Sequence, residues 1–313
     1  MDIVSVINYK GGVGKTTVTS NLAAELANRG KKILLIDTDA QASLTFSLIA
    51  PDEWDAKYKE EKNIKSWFDA ICGGNEPPPL EQFVITPRVV NQKVNKKGGQ
   101  IDLICSHLAL LNVDLELATL LGGVNMQQSK RNYLRVHDSL RAAIEALGKQ
   151  GHYDIVLIDC PPNFNIVTKN AIVASQHIVI PAKPDYLSTL GIDYLQRSVN
   201  DLVTEFNEYA ALDPDNIKKI DPKIMGVIFT MVQITSNEAI AAQKQFISQT
   251  KRLGVKIFPS FFRMNNTIFA TSPQYLLPTI LATQESSQGT YKTIADEIKK
   301  FVDEFENYLN LEK

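Results

Sequence analysis

Short, almost uninterrupted apolar runs alternate with longer stretches of helical periodicity along this chain. The first run, Ile3-Val4-Ser5-Val6-Ile7, predicts a strand over roughly residues 3–8. A segment follows with Val18, Leu22 and Leu26 on one face, and it stops at Gly30, a suitable C′ residue. Ile33-Leu34-Leu35-Ile36 precedes Asp37 with no polar break, which fits a parallel strand buried on both faces. Ile101 to Cys105 is a shorter strand candidate, with helices expected near 107–121 and 130–148. Ile155-Val156-Leu157-Ile158-Asp159 and His177 to Pro181 repeat the buried-strand pattern. Later strands are expected at Lys223 to Thr230 and Val255 to Phe258, with helices between. This β-then-α rhythm predicts an α/β fold, a doubly wound and mainly parallel sheet flanked by helices, with ligands at the carboxyl ends of the strands. No internal repeat or low-complexity tail interrupts it.

Residues 51–100 break the rhythm. They begin acidic (Asp52, Glu53, Asp55, Glu60, Glu61), pass through Pro77-Pro78-Pro79, and end basic with Arg88, Lys93, Lys96 and Lys97. Val89-Val90 suggests an extended segment there, and Lys96-Lys97-Gly98-Gly99 a turn. We read this stretch as an insertion within one domain spanning 1–313. Its basic end is either a solvated face, the commoner case, or a contact for a polyanion.

Composition narrows the class. An apolar fraction of 44% over 313 residues supports a substantial core, and a formal charge of −2 gives no global basic field. Cys72, Cys105 and Cys160 are too far apart for a zinc or disulfide framework and fit a reducing cytosol. The start, Met1-Asp2-Ile3-Val4, has no signal-peptide layout. No apolar run approaches the ~18 residues of a membrane span.

Lys10-Gly11-Gly12-Val13-Gly14-Lys15-Thr16-Thr17 lies between the first strand and the first helix, the context a phosphate-binding P-loop requires. Glycines let the backbone turn its N–H groups onto phosphate oxygens, and the helix N-terminus adds partial positive charge. Lys15 reaches the β/γ-phosphates, and the Thr16 hydroxyl suits Mg²⁺. The generic pattern has a glycine where Tyr9 stands, and Lys10 is extra, which is the deviant Walker A form. The chain is therefore expected to bind a nucleoside triphosphate through Lys10, Gly11, Gly12, Val13, Gly14, Lys15, Thr16 and Thr17.

Three motifs converge: Lys10 to Thr17, Ile36-Asp37-Thr38-Asp39-Ala40-Gln41-Ala42-Ser43, and Ile158-Asp159-Cys160-Pro161-Pro162. Together they resemble the ParA/MinD group of P-loop ATPases, most closely its ParA (Soj-like) branch. Residues 101–118 and 180–191 look like that branch too. The resemblance implies ATP and Mg²⁺ as ligands and a homodimer that forms on ATP binding. It implies that Lys10 crosses to the partner's phosphates, where it is otherwise a solvated loop lysine. Asp39 would orient or deprotonate the attacking water and help hold the magnesium shell; its other reading is an N-cap for a helix starting near Ser43. Asp37 is expected to be structural. Asp159 matches the Walker B aspartate on Mg²⁺, and Pro161-Pro162 stiffens the loop after it. By the same resemblance, the strand end at Phe229-Thr230-Met231 and the loop near Pro259 approach adenine. Hydrolysis should be slow alone and stimulated by a cargo-bound ParB-like or adaptor protein.

The branch also implies binding to non-specific DNA, hence a cytoplasmic, nucleoid-associated protein with no membrane partner. From Ala239 to Gln284 there is no acid, while Lys244, Lys251, Arg252, Lys256 and Arg263 supply positive charge. Such a patch fits a phosphate backbone, or is an ordinary lysine-bearing face. Relatives carry more basic residues where this chain reads Phe262-Arg263-Met264-Asn265-Asn266-Thr267. The alternative is a MinD-like positioning ATPase on a membrane surface. The last helix has an apolar stripe (Tyr291, Ile294, Ala295, Ile298, Phe301, Val302, Phe305, Tyr308), but its polar face holds Asp296, Glu297, Asp303, Glu304 and Glu306, which anionic lipid repels. That stripe is expected to pack on the body. No cysteine pair suits an iron–sulfur cluster, and no helix-turn-helix extension precedes the first strand, so operator-specific repression is not expected.

Overall fold

The apolar runs become one eight-stranded sheet in the order β10-β7-β6-β1-β5-β2-β4-β3. The strands are β1 (Asp2–Val6), β2 (Lys32–Asp37), β3 (Val84–Ile85), β4 (Gln100–Ile104), β5 (Ile155–Asp159), β6 (His177–Ala182), β7 (Lys223–Val232) and β10 (Ile257–Arg263). A two-stranded hairpin, β8 (Ile234–Thr235) with β9 (Glu238–Ala239), stands apart. All sheet pairings are parallel except that of β3 with β4. The structure is a computed structural model describing residues 1–213, 217–236, 238–283 and 289–311.

Helices cover both faces. One core layer carries α4 (Ile64–Cys72), α6 (Leu110–Leu120), α7 (Met126–Gly148), α8 (Ile166–Ala174) and α9 (Tyr186–Ala210). The other carries α1 (Lys15–Asn28), α2 (Ser43–Leu48), α3 (Pro51–Lys57), α5 (Arg88–Val94), α11 (Asn266–Thr271), α12 (Thr279–Thr283) and α13 (Gly289–Leu311). The remaining helix, α10 (Ala241–Arg252), buries only Thr250. Continuous apolar strands are what two covered faces demand, and every residue of β5 and β6 is buried.

Two local expectations change. Residues Val89-Val90 are helical, within α5, not extended. Val90 and Val94 are four apart and bury together against α1's side of the sheet, which outweighs their β preference. Asn91 fixes the helix by accepting from the Ile101 N–H (2.9 Å) and donating to the Ile101 carbonyl (2.7 Å). The turn after it forms as expected, with Gly98 at φ 78°. The last strand also runs to Arg263 rather than ending at Phe258, so its carboxyl end lies further along the chain.

The stripe on α13 does pack on the body. Ile294, Ile298, Phe301, Val302 and Phe305 are fully buried, and Phe301 meets Phe258 and Phe262 edge-on. Its acids serve the chain itself. Asp303 and Glu306 accept from Arg29 at 2.6 and 2.7 Å, and Glu304 from the Ser260 N–H at 3.0 Å. Phe301→Ala should cost about 3–5 kcal/mol of stability, read by chemical denaturation. A loss under about 1 kcal/mol would show that α13 is not part of the core.

Candidate nucleotide site

Strands β1, β5 and β2 are neighbours, and their register pairs Val6 with Asp159 and Asp159 with Asp37. The loop after β1 therefore rises beside both aspartates. Gly12 (φ 66°) and Gly14 (φ 81°) take left-handed backbone, and Gly14 is the N-cap of α1. Asn8 braces the loop by donating to the Pro181 carbonyl (2.7 Å) and accepting from the Lys10 N–H (2.9 Å). Its signal in the sequence was a lone polar residue ending an apolar run.

Thr16 and Asp159, expected on the metal side, meet. Thr16 Oγ1 donates to Asp159 Oδ2 at 2.7 Å, and Thr19 Oγ1 donates to Asp159 Oδ1 at 3.1 Å. Thr38 ties the two strand ends by donating its N–H (3.0 Å) and hydroxyl (2.8 Å) to the Asp159 carbonyl. Burial pushes the Asp159 carboxyl up; Thr16, Lys15 and Thr19 pull it back, while Asp39 adds to the rise. Asp37 is fully buried and also raised, by burial and by Asp159. Its role is structural: Oδ2 accepts from the Thr45 N–H (2.8 Å) and hydroxyl (2.7 Å), anchoring α2.

Lys15 is 7% exposed, and burial lowers its pKa against the pull of Asp159 and Asp39. A buried ammonium favours a neighbouring anion, and a bound phosphate would be one. Lys15→Ala should weaken Mg-ATP binding by about 3–5 kcal/mol, over a hundredfold, measured by titration calorimetry. Undiminished binding would remove Lys15 from the phosphate site.

Asp39 does not cap α2, whose N-cap is Ala42. Its Oδ1 accepts from the Gln41 N–H at 2.9 Å, and its half-exposed side chain lines a recess of about 160 Å³ with Pro161, Pro162 and Leu111. Asp114 on α6 closes that recess, accepting from the Val167 N–H (3.1 Å) and from Asn165 Nδ2. It therefore holds the loop after Pro161-Pro162.

A second cavity, about 300 Å³, opens beside the loop and is lined by Gly14, Thr17, Thr230, Met231, Phe262 and Asn265 among others. Met231 lines this cavity with a left-handed backbone, φ 54°. Pro259 is not among its lining residues; it is exposed in the middle of β10, because that strand continues to Arg263. The ring-bearing wall comes instead from Phe262 and Phe269, stacked at 6.2 Å.

Lys10 reaches sideways. Its Nζ bonds Asp185 Oδ2 at 2.6 Å, and Asp185 caps α9 by accepting from the Ser188 N–H at 2.8 Å. Burial raises the Asp185 carboxyl, but bonds from Lys10 and Ser188 hold it below the usual range. Beside it, Tyr9 packs between Phe164 (5.7 Å) and Tyr194 (5.1 Å).

The basic candidates are not one free patch. Lys244 pairs with Glu238, Arg263 is held by Glu297 at 2.7 Å, and Lys256 lies 4.8 Å over the Tyr308 ring. Lys251 and Arg252 stand exposed on the last turn of α10 with no side-chain partner among the described residues. The acid-free run ends at Gln284, outside those residues.

A parallel sheet with a glycine-rich loop, a lysine and a hydroxyl–aspartate pair at its carboxyl edge defines a P-loop nucleotide-binding protein. Residues 1–212 match the AAA_31 family, an AAA domain. The chain is 31% identical to the sporulation initiation inhibitor protein Soj of Bacillus subtilis over 80% of its length and 79% of that protein's. It is 30% identical to the chromosome partitioning protein ParA of Caulobacter vibrioides over 63% of its length, spanning only 61% of that relative. The fold matches a complex of Cyanothece McdA with ATP at TM-score 0.68 and 17% identity, over 97% of this chain and 96% of that one. The chain belongs to the ParA branch of the ParA/MinD family of P-loop ATPases.

Proposed function

We propose that this chain is a magnesium-dependent, ParA-type ATPase that dimerises around ATP, binds DNA without reading its sequence, and releases it on hydrolysis to partition or position a cargo. The observation that carries the reading is the convergence of Lys15, Thr16, Asp39 and Asp159 on one loop with left-handed glycines. The donor set fits magnesium. No group of three His, Cys, Asp or Glu among the described residues could hold a metal alone, and Mg²⁺ is usually held by one or two carboxylates plus phosphates. Thr16 and Asp159 would hold it, with Asp39 nearby. Bound there, it neutralises charge developing on the phosphoryl oxygens.

The dimer reading draws on the surface around the mouth. Leu108, Leu111 and Leu115 at the start of α6, and Tyr186, Leu187, Leu190 and Tyr194 at the start of α9, are all at least half exposed. The start of α9 follows β6, next to β1, and its Tyr194 packs on Tyr9 beside Lys10, while Leu111 of α6 lines the recess beside Asp39. Apolar groups in that number mark a contact surface, and a second copy would cover them while bringing its own Lys10 to the phosphates. No arginine lines the recess beside Asp39, in keeping with slow hydrolysis until a ParB-like or adaptor partner orders the Pro161-Pro162 loop.

DNA co-sedimentation with ATP and with ADP at two salt concentrations tests the function. Binding should require ATP and weaken steeply with salt, and Lys251→Ala with Arg252→Ala should reduce it. Equal binding with ADP, or pelleting with anionic liposomes in place of DNA, would overturn it. Among the described residues no helix is long and apolar enough to cross a membrane.

A further inference from the structure

The largest cavity described, about 790 Å³, is not at the nucleotide mouth and shares no lining residue with it. It is a trough along the outer face of α7. Arg131, Arg135, Ser139, Ala142, Ala146 and Gln150 recur at helical spacing and form its floor. At roughly 1.5 Å per residue that stripe is about 29 Å long. A volume of this size drawn out over that length suits a chain, not a compact molecule.

We propose that this trough takes an acidic, apolar peptide segment of a partner protein. One wall is Pro77 to Leu80, from the stretch that breaks the β–α alternation. Prolines offer ring carbons and no N–H. The wall is fixed in advance: Trp67 Nε1 donates to the Pro78 carbonyl (3.0 Å), and Gln150 Nε2 donates to Glu81 (2.9 Å). A prebuilt wall lowers the ordering cost of docking. The floor between the arginines and Gln150 is small, so an apolar side chain can approach α7 closely.

Charge selects the occupant. Arg131 and Arg135 are exposed, one turn apart, and neither has a carboxylate partner among the described residues. Like charges at that spacing repel, and a guanidinium pair favours carboxylates. The trough's own acids do not satisfy them, since Glu81 bonds Gln150 and Asp138 pairs with Arg141. The inference stands apart from the nucleotide chemistry.

The test is selection of a phage-displayed library of random linear peptides on the full chain. Recovered peptides should carry Asp or Glu beside Leu, Ile or Phe. Synthetic copies should lose more than about tenfold in affinity against the Arg131→Glu/Arg135→Glu double variant, as two anchoring arginines predict, and against Ala142→Trp, which fills the floor. Both variants should keep the wild-type melting temperature and ATP affinity. Peptides without acidic enrichment, binding that survives both variants, or no binders at all would overturn the proposal.

Discussion

Lys10→Ala is expected to bind Mg-ATP almost as the parent does, yet to hydrolyse it about 10³–10⁵-fold more slowly, the size of effect an in-trans cation has on phosphoryl transfer. The reasoning starts from where Lys10 is. In the single chain its ammonium is held by Asp185. The pair is part-exposed, 29% and 38% by side chain, so it contributes under about 1 kcal/mol. A partner's triphosphate, with several negative charges in a closed interface, outcompetes one solvated carboxylate. Exchange of Asp185 for phosphate is thus inexpensive, and the fold should not depend on Lys10. Calorimetry for binding and single-turnover kinetics for hydrolysis check both halves. Hydrolysis near the parent rate would remove Lys10 from the chemistry.

Asp39→Ala is expected to trap an ATP-bound dimer that turns over about 10²–10⁴-fold more slowly, the range lost with a general base or water-orienting group. Among the described residues the Asp39 carboxylate accepts only from the Gln41 N–H, its bonds to Ser106, Ala42 and Asp37 run through its backbone and survive the exchange, and Asp37 performs the structural work of that loop. Its carboxylate faces a recess between the two loops that flank the phosphates. A variant that keeps parent activity would return Asp39 to a turn-forming role.

Much of this was legible because buried parallel strands and P-loops have strong local signatures. The apolar runs ending in Asp37 and Asp159 identified β2 and β5, and the glycine spacing identified the loop. What the sequence did not disclose depends on long-range packing. Val89-Val90 looks extended until α1 is placed beside it. Pro259 reads as loop just past a strand ending at Phe258, yet β10 pairs with β7 as far as Arg263 and Val232. The five basic candidates form one run in the sequence, yet Glu297 and Tyr308, far along the chain, engage two of them. Asn8 and Asp114 brace the site through bonds to Pro181 and Val167, distant in the chain, so the sequence did not assign them that role.

The central claim is that each ATP is completed by a lysine from the facing subunit. Mixing Lys10→Ala with Asp39→Ala protein tests it most directly. A mixed dimer has one site with its own Asp39 and the partner's Lys10, so two inactive proteins should recover roughly a quarter of parent activity on random pairing, as an in-trans group requires. A mixture as inactive as its components, with mixed dimers shown to form, would contradict the account.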